Sequence, residues 1–64
     1  MTKQEYYNSR LALDKEFEQY LLTGYLDKAK ETKNKIGELM RQGLEELGEQ
    51  EFLNVELEYE TNNY

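Results

Sequence analysis

The sequence predicts a mostly α-helical chain: an antiparallel two-helix hairpin followed by one C-terminal β-strand, completed by homodimerisation. Three observations carry this. Two stretches of about twenty residues place apolar side chains at helical spacing, and each ends on a glycine. Residues 53–60 then alternate without a break, Leu53-Asn54-Val55-Glu56-Leu57-Glu58-Tyr59-Glu60, which is the period of a half-buried strand. Finally, 64 residues with no Cys and no His have neither disulfides nor the usual zinc ligands. A domain of this size is marginal alone, so association is the remaining source of stability.

The first helix is expected over about 3–23. Thr2 and Glu5 have the spacing of a capping box, in which each side chain satisfies a backbone N–H of the other. Tyr6, Leu13, Phe17, Tyr20 and Leu21 share one face, with Tyr7, Leu11 and Leu22 on a weaker second patch. Arg10 falls inside the main stripe and interrupts it. Thr23-Gly24 ends the helix, because glycine adopts the left-handed closing conformation without a Cβ clash. The short link that follows favours a hairpin.

The second helix is expected over about 25–47. Its stripe is Tyr25, Leu26, Ala29, Ile36, Met40, Gly43, Leu44 and Leu47, with Leu39 at the edge. Gly43 on this face would let another helix approach closely, and is assigned with Leu53, Val55 and Leu57 to self-association. Gly48 closes the helix. The strand is expected over about 52–60, with a frayed tail at 61–64. A lone strand leaves backbone donors and acceptors unpaired and must find a second chain to pair with.

Charge is divided along the chain. Residues 1–41 hold eight basic and seven acidic side chains, whereas 42–64 hold seven acids and no base. The net charge of −6 therefore lies in the last third. Such a field repels nucleic acid. Lys28, Lys30, Lys33 and Lys35 fan to both sides of their helix around Glu31, which does not make a nucleic-acid stripe. No apolar run reaches the roughly 20 residues that span a bilayer. The N-terminus lacks the apolar segment of a signal peptide. A soluble cytoplasmic protein is expected.

Catalysis is not expected. One serine, Ser9, with neither Cys nor His provides no nucleophile–base pair. No cofactor is implied. Glu45 and Glu49, one turn apart, make at best a weak clamp for a hard cation. The six tyrosines point instead to contact surfaces, Tyr7 and Tyr59 foremost.

The expected partner-binding face is the row Glu56, Glu58 and Glu60, joined by Tyr59 and Tyr7. On a strand, residues i and i+2 lie about 6.7 Å apart, close to the phosphate spacing along one DNA strand. In size and acidity alone, with no motif to carry it, the chain resembles small phage-encoded proteins that inhibit host enzymes by mimicking DNA. That resemblance implies an acidic inhibitor or modulator of a host enzyme. The alternative is an assembly or adaptor protein joining its partner by β-strand addition or helix packing.

Overall fold

A computed structural model of the chain describes residues 1–63 and consists of three helices: α1 (Lys3–Thr23), α2 (Leu26–Leu47) and α3 (Glu49–Asn63). The capping box forms. The Glu5 backbone N–H donates to Thr2 Oγ1 at 3.1 Å, and the Thr2 N–H donates to Glu5 Oε1 at 2.8 Å. Gly24 closes α1 in the left-handed region at φ 80°, and its N–H reaches back to the Leu21 carbonyl at 3.3 Å. With Tyr25 as the link, α2 returns antiparallel along α1.

The expected C-terminal strand is not present; among the described residues there is no strand, and 49–63 form a helix. The physical reason lies in the backbone. An isolated strand leaves every donor and acceptor open, whereas a helix closes its own ladder within the segment. Glu, Gln and Leu favour that choice intrinsically. The apolar alternation is also compatible with a helix once Phe52 is included. Phe52, Val55 and Tyr59 stand at i, i+3 and i+7, and all three are buried. Leu53 and Leu57 fall on another flank and remain 54% and 66% exposed. The strand-mediated dimer and strand addition to a partner sheet therefore lose the element they require. The tail expected to fray at 61–63 continues α3; Tyr64 lies outside the described residues.

Gly48, at φ 84° and ψ 160°, adopts a conformation essentially confined to glycine and turns the chain directly from α2 into α3. Its carbonyl accepts from the Phe52 N–H at 2.9 Å. This turn also accounts for Glu49. As a residue after α2 it would oppose the helix dipole, but it opens α3 together with Glu51, where negative charge is favourable.

The core lies where all three helices meet. Tyr6 from α1, Leu39 from α2, and Phe52 and Val55 from α3 form its centre, flanked by Met1, Tyr7, Leu13, Met40 and Leu47. Gly43 is the seat of this packing. A Cβ there would stand 2.8 Å from the Tyr6 ring and 3.3 Å from Phe52. The close approach that Gly43 permits is thus made within one chain. Tyr6 and Phe52 then meet edge to face, with centroids 5.5 Å apart.

Contacts between α1 and α3 advance in step: Lys3 with Glu51, Tyr6 with Phe52, Arg10 with Glu56, and Asp14 with Tyr59. The two helices run in the same direction, and at the end of α3 Asn63 reaches the Tyr7 hydroxyl and lines a groove with Phe17 and Glu18. The rest of α1, and the facing start of α2, extend beyond α3. The molecule is correspondingly elongated, 36 × 22 × 14 Å.

Candidate functional site

Two places depart from an ordinary small helical core. The first is a polar cluster between α1 and α3. Arg10 Nη1 donates to Glu56 Oε1 at 2.6 Å, and the Tyr6 hydroxyl donates to the same oxygen. On the other side, Arg10 Nε lies 3.4 Å from Asp14 Oδ2, which also accepts from the Tyr59 hydroxyl. The guanidinium carbon stands 5.0 Å from the centre of the Tyr59 ring, within cation–π range. The Arg10 and Glu56 side chains retain only 11% and 13% of their exposure.

This environment keeps the charges in place. Burial works against the Arg10 cation, yet Tyr6, Glu56 and Asp14 together hold it more firmly protonated than usual. Burial, reinforced by Glu56, pushes the Tyr6 hydroxyl above the ordinary tyrosine range. A tyrosine shifted that way stays un-ionised at neutral pH, so no phenolate is available as base or nucleophile, and Tyr6 is fully buried. The cluster is a clamp joining α3 to α1.

The sequence-predicted residues divide accordingly. The row Glu56, Glu58 and Glu60 is broken up: Glu56 turns inward to Arg10, while Glu58 and Glu60 are exposed. On a helix these side chains also lose the phosphate-like pitch of a strand. Tyr7 and Tyr59, both assigned to partner contact, meet one another edge to face at 5.3 Å. Tyr59 is buried, and the Tyr7 hydroxyl accepts from Asn62 Nδ2 at 3.3 Å and Asn63 Nδ2 at 3.2 Å, fastening the end of α3. Val55, placed on the self-association face with Leu53 and Leu57, is a core residue. Arg10, Asp14 and Tyr6 were not assigned to any site from the sequence. The one signal was a lone arginine in an apolar stripe, which needs a buried carboxylate opposite it.

The second place is the turn end of the hairpin. A groove of about 560 Å³ lies between α1 and α2 alongside the last turns of α3, whose Tyr59 and Asn63 line it together with Asp14. Leu11, Phe17 and Leu21 of α1 face Ile36 of α2 across it, with Lys15, Glu18 and Lys33 on its rim. Leu21, which lines it, is 48% exposed, and at the turn itself Leu22, Tyr25 and Leu26 are 80%, 62% and 66% exposed, with Tyr25 in a separate hollow beside Glu16, Gln19, Tyr20 and Thr23. Four large apolar side chains within six residues is a dense patch for a surface otherwise rich in charge.

Glu45 and Glu49 are both exposed, and among the described residues no group of three His, Cys, Asp or Glu side chains could hold a metal ion. Nor is any described helix long and apolar enough to cross a membrane. No protein-family model matches the chain, and no curated protein or solved structure is significantly similar to it.

Proposed function

We propose that this chain is a small protein-binding module that works by helix packing at the turn end of its hairpin. The observation that carries this reading is the length mismatch between α3 and the hairpin. α3 is shorter than either arm of the hairpin, and beside its last turns Leu11, Phe17 and Leu21 of α1 and Ile36 of α2 line an apolar groove that Tyr59 and Asn63 wall on the α3 side. Amphipathic helices dock in grooves of this kind through side chains spaced three and four residues apart.

A second reading rests on the acidic part of the surface. Glu45, Glu49, Glu58 and Glu60 are exposed, and their field favours a basic surface on another protein. In this reading the chain is an acidic inhibitor or modulator of an enzyme. The two modes are separated by capture from native cell extract on immobilised wild type, Leu26→Asp and the double variant Glu58→Lys/Glu60→Lys. A protein retained by wild type and the lysine variant but lost by Leu26→Asp supports helix packing. A protein lost only by the lysine variant overturns it in favour of the acidic surface.

A further inference from the structure

Between α2 and α3 stands a single residue. Gly48 sits at φ 84° and ψ 160°, a conformation essentially closed to L side chains, and a Cβ built there would meet nothing within 4 Å. The backbone alone therefore resists a side chain at this position. The helical ladder already reaches Gly48 from both sides. Its N–H donates to the Leu44 carbonyl at 3.1 Å, and its carbonyl accepts from the Phe52 N–H at 2.9 Å. Both are bonds of a continuous α-helix. Such a helix would add bonds from the N–H groups of Glu49, Gln50 and Glu51 to the carbonyls of Glu45, Glu46 and Leu47, which the turn leaves unmade among the described residues. The flanks favour it. Leu44-Glu45-Glu46-Leu47 and Glu49-Gln50-Glu51-Phe52-Leu53 contain no β-branched residue, and the chain has no proline.

A helix unbroken from Leu26 to Asn63 would be roughly 57 Å long, against 36 Å for the closed chain. Its α3 part would point away from its own hairpin. Phe52, Val55 and Tyr59 would stand in water, and the seat around Tyr6, Leu39 and Gly43 would be empty. A second copy supplies both. In the closed chain α3 runs antiparallel to α2. Two unbroken helices laid side by side in opposite directions, crossing at Gly48, set each α3 against the other copy's α2 in that same orientation. The contacts of the closed form then recur between copies: Phe52 on Gly43 and Tyr6, Glu56 on Arg10, Tyr59 on Asp14. The buried ion pair fixes the register, because an α3 one turn out of place would part Glu56 from Arg10.

We infer that Gly48 is a switch between two forms of this chain: a closed monomer, and a twofold dimer in which α2 and α3 fuse into one helix and each α3 occupies the other copy's seat. The glycine holds the closed form, and a side chain at this position selects the dimer. Glu45, Glu46, Glu49 and Glu51 act with the glycine, because the crossing brings both sets of exposed carboxylates together. This inference is independent of what docks at the turn end.

The test is sedimentation equilibrium of the full chain from micromolar to millimolar concentration, in high salt to screen those carboxylates, on wild type, Gly48→Ala and Gly37→Ala. Gly37 lies within α2 and a methyl there also meets nothing within 4 Å, so that variant raises helix propensity without touching the turn. Gly48→Ala is expected to dimerise about a hundredfold more tightly than wild type, since both copies escape a strained alanine and gain a helical one. Gly37→Ala is expected to associate like wild type. Gly48→Ala chains carrying different isotope labels, mixed in denaturant and refolded together, should show NOEs between the Tyr6 ring of one copy and the Phe52 ring of the other. A folded monomer of Gly48→Ala at millimolar concentration overturns the inference. So does association equal to that of wild type, or a dimer without the Tyr6–Phe52 contact between copies. A Gly48→Ala chain that stays unfolded up to millimolar concentration overturns it as well, because the exchanged form is free of the strain and would restore the fold.

Discussion

Arg10 occupies a position on α1 where helical spacing calls for an apolar side chain, and its charge is compensated from α3 by Glu56 and from its own helix by Asp14. Removing one partner of such a pair strands a buried charge, which costs about 3 kcal/mol or more. Glu56→Ala should therefore lower the thermal midpoint sharply, while Arg10→Met/Glu56→Leu should recover most of the loss; paired melting curves read the difference. The two helical glycines make opposite predictions. Gly43→Ala forces a methyl to within 2.8 Å of the Tyr6 ring and should cost about 1–3 kcal/mol through overpacking. A methyl added at Gly37 meets nothing within 4 Å, so Gly37→Ala should stabilise by about 0.5–1 kcal/mol through helix propensity alone. Denaturant titration distinguishes the two signs. Tyr6 adds a dependence on alkali. Its hydroxyl titrates above the ordinary value of 10.0 because burial and Glu56 disfavour the phenolate. Its contribution to stability is complete below pH 10 and is lost as the pH rises further. Tyr6→Phe should flatten that alkaline slope, as followed by denaturant midpoints across the range.

At the scale of the element, α3 decides what is surface and what is core. A strand would have put Val55 and Leu57 on the same face, whereas the helix buries Val55 to 2% exposure and leaves Leu57 at 66%. Val55→Asp should accordingly unfold the chain or cost several kcal/mol, and Leu57→Asp should stay within about 0.5 kcal/mol of wild type; circular dichroism with urea titration checks both. The hairpin was legible in the sequence because its signals were local. Thr2 and Glu5 cap one end of α1, Gly24 closes the other, and Gly48 follows α2. The last element was not, because Asn54, Glu56 and Glu58 between apolar neighbours satisfy the strand period, and the helical face depends on Phe52, just outside the alternating run. What resolves the ambiguity is tertiary: the Gly43 seat for Phe52 and a charge partner for Arg10. The polar cluster was half legible, in the arginine that broke the stripe. The turn-end groove was not, since it exists only because α3 is shorter than the hairpin it packs on.

For the whole molecule, the governing feature is polarity: an acidic end where the three helices meet and a nearly neutral apolar end at the turn. Exposed ion pairs trim the acidic end. The N-terminal ammonium lies 2.9 Å from Glu46 Oε1, and Lys3 Nζ lies 3.2 Å from Glu51 Oε2. The Met1 hydrogen bond and ion pair lower the Glu46 carboxyl and raise the Met1 ammonium, while the Thr2 backbone N–H lowers Glu5. The carboxylate contributions are present above the ordinary value of 4.5 and disappear as the pH falls through their lowered values. The ammonium contribution is present below 8.0 and disappears as the pH rises through its raised value. Stability should therefore be broadest between these limits, with shoulders that flatten in high salt because the groups are exposed. All of this presupposes that residues 49–63 form a helix locked onto α1 and α2. Backbone ¹³Cα chemical shifts of the full chain test that most directly. An unbroken run of helical deviations from Glu49 to Asn63, after a break at Gly48, is expected. Strand-like deviations over residues 53–60, or values at the random-coil position, would contradict it.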